Sequence, residues 1–145
     1  MKNSQTADIK LGLSIQVRLV SNLQKSIAYY RDILGCTVDD WGHAQRDEMI
    51  VILQQAKTGD DVRPNPASKK RLDYPTEWQG PDHGWDTFVH VEWDDLEPLI
   101  EDIRVKGGFI RLEPITDVHG KWEFKNAYVQ DPDRYTIVFG AMREL

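Results

Sequence analysis

The chain has 145 residues, a formal net charge of −6 at pH 7 and one cysteine. The length suits a single domain with a sizeable core, and no stretch approaches the roughly 18 apolar residues of a membrane span, so we expect no membrane partner. The acidic balance argues against nucleic acid as a partner, because binding phosphates requires a basic surface.

Two features predict a cytoplasmic protein. Residues 1–10 are polar and lack the apolar core of a secretory signal. Cys36 has no second cysteine with which to form an internal disulfide, which fits a reducing compartment. We interpret Cys36 as a structural residue, since unpaired cysteines are usually small buried apolar groups.

The first predicted elements are a strand and a helix. Residues 13–20 alternate between apolar and polar side chains, which is typical of a half-buried strand. The helix is expected to begin with Ser21 as N-cap and Gln24 in the matching position of a capping box. Its apolar face consists of Leu23, Ile27, Tyr30 and Leu34. Gly35 is expected to end the helix in a left-handed conformation.

The same order of elements returns in the second half of the chain. The first half is completed by strands predicted around residues 37–41 and 46–55. The second half contains predicted strands at residues 87–93, 109–113, 122–130 and 135–140. Its helix is capped by Asp94 or Asp95 and ends at Gly107-Gly108. The apolar face of this helix consists of Leu96, Ile100 and Ile103.

This repeat predicts an α+β fold of two βαβββ modules that form a curved mixed sheet around a cleft. We expect a single domain over residues 1–145, with module one at about 11–55, a linker at 56–84 and module two at about 85–142. One helix covers only one face of a sheet, so two modules can enclose a cleft suited to a small molecule. The linker is rich in proline, and we interpret it as either a lid or an arm across a dimer partner.

Three motifs resemble those of the vicinal oxygen chelate superfamily (glyoxalase / bleomycin resistance protein / extradiol dioxygenase). Residues 20–35, VSNLQKSIAYYRDILG, are similar to the family pattern V-x-D-L-x-x-S-x-x-F-Y-x-x-x-L-G. Residues 91–96, VEWDDL, and residues 131–133, DPD, resemble the second and third motifs. The resemblance implies the glyoxalase/bleomycin-resistance fold and a homodimer. Arg134 stands where the family commonly has glycine, and a positive φ there would cost roughly 1 kcal/mol.

The resemblance also implies where a divalent metal would bind, because enzymes of the family hold one with His, Gln or Glu from four strands. Counted from the motifs, these four positions fall on Ile15, Ile52, Phe88 and Val138. None of these side chains can bind a metal. We therefore expect no metal and no cofactor.

The alternation in the first strand leaves a second interpretation open. It would place Ile15, Val17 and Leu19 under the helix and turn Gln16 and Arg18 toward the cleft, which requires a bulge near Leu19. A shifted metal site would then consist of Gln16, His90 and Glu92.

The candidate ligand-binding residues are those that the two interpretations place along the cleft. They are Gln16, Arg18, Gln54, Phe88, His90, Glu92, Trp122 and Tyr128. A structural role is the alternative for some of them: His90 as a hydrogen-bonded structural histidine, Arg18 as the partner of an acid across the sheet, and Tyr128 as a core residue. No catalytic residue is assigned.

The favoured function is a metal-free binder of a small molecule, of the bleomycin-resistance kind. The acidic charge weakly favours a cationic ligand, and five tryptophans provide stacking surfaces for an aromatic one. A metal-dependent lyase, isomerase or dioxygenase with displaced ligands is the first alternative. An interaction or sensor module with an effector pocket is the second.

Overall fold

The computed structural model describes residues 8–65 and 84–145. Module one contains β1 (Gln16–Val20), α1 (Leu23–Ala28) with a π-helical continuation (Tyr29–Ile33), β2 (Thr37–Val38), β3 (His43–Arg46), β4 (Met49–Gln55) and a 3-10 turn (Gly59–Asp61). Module two contains β5 (Thr87–His90), a 3-10 turn (Trp93–Asp95), α2 (Leu96–Val105), β6 (Phe109–His119), β7 (Trp122–Gln130) and β8 (Thr136–Glu144).

Each module forms a four-stranded mixed sheet of the same topology. The strand order is β1-β4-β3-β2 in the first sheet and β5-β8-β7-β6 in the second. In both sheets the first strand pairs in parallel with the last, while the other neighbours are antiparallel. The predicted α+β fold of two βαβββ modules is therefore confirmed. In the described ranges, no helix has the length and apolar character needed to cross a bilayer.

The core lies where the two helices pack against one face of each sheet. Buried residues of both modules form one cluster, to which β4 contributes Val51 and Leu53 and α2 contributes Ile100 and Ile103. The predicted apolar faces of both helices pack in this cluster, with Tyr30 fully buried. The modules also meet closely at Gly108, where an added Cβ would lie 2.9 Å from the Ile33 side chain.

The start of α1 differs from the prediction. Asn22, not Ser21, is the N-cap, and its side-chain oxygen accepts a 3.0 Å hydrogen bond from the Lys25 amide. The Ser21 hydroxyl instead donates to Asp133 of module two at 2.5 Å. Both residue types cap helices well, so the contact with the other module decides which of them takes the role.

The faces of β1 are the reverse of those that the alternation suggested. Arg18 and Val20 are buried beside the helix, whereas Val17 is 62% exposed and Leu19 is 37% exposed. The pairing of β1 with β4 runs without interruption from Gln16 to Val20, so there is no bulge near Leu19. The prediction that the apolar residues of this strand lie under α1 was wrong, because Arg18 finds buried polar partners there.

Two turns contain a residue with positive φ. Gly35 ends the first helix with φ +76°, as predicted. Arg134 takes φ 69°, the conformation that glycine adopts most easily. Cys36 is buried next to Gly35, and burial raises the pKa of its thiol to about 11, as expected for a structural rather than a reactive cysteine.

The strands of module one are shorter than predicted. The strand expected at 37–41 ends at Val38, and the region expected as one strand at 46–55 contains the end of β3, a turn and β4. Asp47 at this turn has φ 52°. Residues 66–83 of the linker lie outside the described residues, and so do the features on which its predicted role as lid or arm depends.

Candidate functional site

The face of each sheet that does not contact the helices is called here the open face. In module two, Ile137 and Phe139 of β8 belong to the core, so Val138 and Gly140 lie on the open face. Strand pairing extends these positions into two rows across the sheet. One row contains Phe88, Val138, Tyr128 and Leu112, and the next contains His90, Gly140, Asn126 and Ile115.

Four rings on this side of module two form what we call the aromatic cluster: Trp85, Phe88, His90 and Tyr128. The Trp85 ring stacks on Phe88 with centroids 5.6 Å apart and meets Tyr128 edge-on at 6.0 Å. The Phe88 ring meets His90 edge-on at 4.9 Å. Phe88 remains 42% exposed, so the cluster offers an apolar π-surface that a planar molecule can contact.

Gly140 explains why the Phe88 ring lies where it does. A Cβ at residue 140 would lie 2.4 Å from Phe88 Cζ and 2.5 Å from Asn126 Oδ1. The ring therefore lies across β8 in space that any other residue would occupy. This arrangement brings the edge of Phe88 close to the amide of Asn126.

A groove of about 880 Å³ adjoins the aromatic cluster. It runs between the β3–β4 turn of module one and β5 and α2 of module two, and both Phe88 and His90 line it. The acidic residues along it are Asp47, Glu48, Glu92, Asp95 and Asp102, and the basic residue is Arg46. Apolar side chains such as Leu99 and Ile103 also contribute, so the groove combines apolar walls with an acidic rim.

A buried polar seam joins the modules below the groove. Arg18 donates from Nη1 to the Tyr30 hydroxyl at 2.7 Å, and that hydroxyl donates to Asp131 Oδ2 at 2.8 Å. Arg18 Nη2 donates to Gln16 Oε1 at 3.0 Å and to the Thr87 hydroxyl. Because Asp131 and Thr87 belong to module two, the Arg18 guanidinium links both halves of the chain.

Burial changes the acidity of the seam. Desolvation raises the pKa of Asp131 above its usual value, although hydrogen bonds from Tyr30 and the charge of Arg18 act in the opposite direction. Desolvation likewise raises the pKa of Asp86, whose carboxylate accepts from the amides of Thr136 and Asn65. The pKa of the Tyr30 hydroxyl is also raised, chiefly by burial. Tyr30 and Asp131 are buried and link the two modules through their hydrogen bond, whereas Asp86 is only partly buried.

The structure places the predicted site residues in three different environments. Phe88, His90 and Tyr128 lie together in the aromatic cluster. Trp122 lies on the same open face at the far end of β7, with Lys121 Nζ 5.5 Å from its ring centroid. Gln54 is exposed on the open face of module one, and Glu92 is exposed at the groove beyond the end of β5.

Two of the predicted ligand-binding residues require correction. Arg18 is 5% exposed, its guanidinium donates to Tyr30, Gln16 and Thr87, and it does not line the groove. The amide of Gln16 is also committed to the seam, because its nitrogen donates to the Asp86 carbonyl at 2.8 Å and its oxygen accepts from Arg18 and Thr87. Gln16 reaches the groove only as part of its wall.

The donor set does not fit a divalent metal. Phe88 and Val138 are direct neighbours on the open face of module two, and Ile52 shares a face with Val17 in module one. Ile15, two positions before Val17, has a hydrocarbon side chain as well. Within residues 8–65 and 84–145, no three His, Cys, Asp or Glu side chains converge as a metal site would require. The shifted site also fails, because Gln16 is bound in the seam.

Three residues of the site were not among the predicted ones: Trp85, Asn126 and Gly140. The alternation of β7 contained the signal for Asn126, since Trp122, Tyr128 and Asn126 share parity along the strand. Trp85 precedes β5, where no periodicity indicates its direction. The role of Gly140 depends on Phe88, a residue far away in the sequence, and could not be recognised locally.

Comparisons with known proteins agree with this architecture. The family model "Glyoxalase/Bleomycin resistance protein/Dioxygenase superfamily" matches residues 14–139. No curated protein sequence matches the chain significantly. A glyoxalase/bleomycin resistance protein/dioxygenase from Alicyclobacillus acidocaldarius is similar in structure, with a TM-score of 0.61, 11% identity and 90% coverage of each chain.

Two further solved structures are similar. One is a glyoxalase/bleomycin resistance protein/dioxygenase from Nocardioides, with a TM-score of 0.59, 17% identity and coverage of 97% of this chain and 89% of that chain. The other is the fosfomycin resistance protein FosX from Listeria monocytogenes, with a TM-score of 0.59, 13% identity and coverage of 92% and 94%. At these identities the likeness concerns the fold. The repeated βαβββ topology and the family match over residues 14–139 together show that the chain belongs to the Glyoxalase/Bleomycin resistance protein/Dioxygenase superfamily.

Proposed function

We propose that the protein is a metal-free small-molecule-binding protein of the glyoxalase/bleomycin-resistance type, with an aromatic or cationic ligand. The observation that carries this proposal is the aromatic cluster, which stands on the open face where enzymes of this family would need metal ligands. A stacked Trp85–Phe88 pair with a partly exposed ring favours a planar ligand. The acidic rim of the adjoining groove supports positive charge on that ligand.

The proposal also covers the location, the oligomeric state and the partners of the protein. It functions as a single domain in the cytoplasm, as a homodimer, and without nucleic acid or membrane as partners. Support for the dimer comes from the apolar residues Ile15, Val17 and Leu19, which are all more than a third exposed on module one. Support for a reducing compartment comes from the single, buried cysteine.

The metal-dependent alternative is not favoured. A lyase, isomerase or dioxygenase with displaced ligands would need Gln16, His90 and Glu92 around one ion. Gln16 is held in the seam by Asp86, Arg18 and Thr87. The two remaining donors would leave a divalent metal without the three protein ligands that a catalytic site usually has.

A binding experiment with a defined probe tests the proposal. The probe is 9-aminoacridine, a planar aromatic cation at neutral pH, titrated into the wild type while intrinsic tryptophan fluorescence and urea unfolding are followed. We expect saturable binding and, at about 100 times the dissociation constant, stabilisation by about 2.7 kcal/mol. Phe88→Ala should weaken binding at least tenfold, because it removes the exposed ring of the cluster.

The matched control is Phe109→Ala, which removes a ring that is 61% exposed at the start of β6 and lies outside the cluster. This variant should bind the probe as the wild type does. Equal binding to Phe88→Ala and to the wild type would contradict the proposed site. A stoichiometric divalent metal that is lost in His90→Ala would contradict the metal-free function and favour an enzyme.

A further inference from the structure

The second row on the open face of module two contains a primary amide, which can both donate and accept hydrogen bonds. Asn126 lies between Gly140 on β8 and Ile115 on β6. A primary amide offers two N–H donors and a carbonyl acceptor. Within the described ranges, the side chain of Asn126 makes no hydrogen bond.

The position of this amide relative to the aromatic cluster is fixed by Gly140. Asn126 Oδ1 and Phe88 Cζ each lie within 2.5 Å of the point that a Cβ of residue 140 would occupy. The ring edge and the amide are therefore neighbours. A molecule that contacts the Phe88 ring also comes within reach of Asn126.

Asn126 is partly exposed, and its neighbours on β6 and β8 are Ile115 and Gly140. A ligand that covers Phe88 would withdraw this amide from water. A polar group that is withdrawn from water without a partner is unfavourable, so a bound ligand is expected to satisfy it. A ligand with a complementary edge would satisfy both functions of the amide at once.

We propose that Asn126 determines ligand specificity by binding the edge of a planar heterocycle that carries a hydrogen-bond donor and an acceptor side by side. A lactam or an amino-substituted ring nitrogen has such an edge, and a primary amide forms two parallel hydrogen bonds with it, as asparagine does with adenine. This inference rests on the proposed function, since it specifies the ligand of the same site. It adds a hydrogen-bonding requirement to the stacking and charge already described.

Two probes of nearly equal size separate stacking from hydrogen bonding. Quinolin-2(1H)-one has an adjacent N–H and C=O, whereas quinoline has the same two fused rings and an acceptor alone. We expect the wild type to bind quinolin-2(1H)-one at least tenfold more tightly than quinoline, as measured by fluorescence titration. Asn126→Leu should abolish this preference, mainly by weakening the binding of quinolin-2(1H)-one, because quinoline can form only one hydrogen bond with the amide.

Two further variants make the result specific. Asn126→Asp keeps the size but loses the donor, so it should also lose the preference, which covers the case in which Asn126→Leu does not fold. Gln24→Leu removes an exposed amide on α1, outside the site, and should keep the preference. Equal affinity of the two probes for the wild type, or a preference that survives in both Asn126 variants, would overturn the role of Asn126 while leaving the proposed function intact. Failure of both probes to bind would overturn the role of Asn126, and failure of 9-aminoacridine as well would overturn the proposed function.

Discussion

Arg18 shows how a charged residue can take a core position on a strand. The residue is 5% exposed, and its guanidinium lies 4.7 Å from the centroid of the Tyr135 ring and donates to Tyr30, Gln16 and Thr87. A buried charge is tolerated only when it is paired and hydrogen-bonded. The partners come from the first helix, β5 and the turn before β8, which is why the residue is stable in a place where an apolar side chain was expected.

The acid at the other end of the seam gives a pH-dependent prediction. Burial raises the pKa of Asp131, so the folded protein keeps this proton to a higher pH than the unfolded chain, whose value is 3.8. The contribution of Asp131 to stability is therefore greatest below pH 3.8, and it falls as the pH rises from there through the raised folded value. An asparagine side chain cannot titrate, so the stability difference between the wild type and Asp131→Asn should shrink over this interval.

Urea unfolding of both proteins at a series of pH values measures this difference. At the acidic end we expect Asp131→Asn to be less stable by about 1–3 kcal/mol. The single amide oxygen is needed by the Asp133 and Tyr135 amides, so an NH2 group, which cannot accept, faces the Tyr30 hydroxyl. Asp40→Asn, a change at an exposed turn, serves as the control and should leave the pH profile unchanged. A difference that grows with rising pH would show that the pKa of Asp131 is lowered on folding.

At the scale of single residues, the sequence predicted backbone conformations better than side-chain environments. The left-handed Gly35 and the strained Arg134 follow from local chemistry and from the turn that each forms. The buried state of Arg18 does not, because the elements that contact it from module two are distant in the chain. Asn126 was missed for a similar reason, since its significance depends on Phe88 and Gly140.

The first helix illustrates how a contact between modules selects among local alternatives. Asn22 and Ser21 are neighbours and both have capping side chains, yet only Asn22 accepts from an amide of the first turn. The helix then widens into a π-helical turn, in which the Leu34 amide donates to the Tyr29 carbonyl at 3.1 Å. A short helix with such an irregular end depends strongly on its cap.

Capping gives a prediction for α1. Asn22→Ala should lower the free energy of unfolding by about 1 kcal/mol, because the Lys25 amide loses its acceptor. Asn22→Asp keeps an acceptor oxygen in the same position and should retain nearly all the stability. Urea unfolding at neutral pH distinguishes the two variants. Equal losses in both would mean that the side chain stabilises the fold in another way.

At the scale of elements, alternation revealed that β1 has two distinct faces but not which of them lies under the helix. The rule that apolar residues face the core gave the wrong answer, because the other face is also partly apolar: Val17 and Leu19 stand on the open side. The position inferred from the family motifs, with Ile15 in the cleft, agrees with the observed orientation. Pattern and motif therefore supply different information about the same strand.

The open side of the molecule presents exposed apolar residues in both modules. Val17 is 62% exposed in module one, and Ile115 and Met142 are about half exposed in module two. Apolar patches of this kind mark interaction sites in soluble proteins. They are consistent with the proposed homodimer, in which the open faces of two chains would shield each other.

Sedimentation velocity over a range of protein concentrations tests this assembly. We expect the wild type to sediment as a dimer at micromolar concentration and Val17→Asp to shift the population toward monomer. Gln24→Asp, which places the same charge on the exposed side of α1, should not change the oligomeric state. Because Val17 contributes little to the core, the monomer of Val17→Asp should remain folded by circular dichroism. A wild type that stays monomeric at every concentration would rule out the dimer.

The polar seam couples the unfolding of the two modules. If module two unfolded alone, Arg18 would remain in module one without Thr87 and without the acid that orients Tyr30. Module one would also expose the part of the shared hydrophobic core that packs on module two, so a half-folded intermediate has little to stabilise it. The two halves of this repeat are therefore expected to melt in one cooperative transition, with backbone amides of both modules exchanging with solvent through the same global opening.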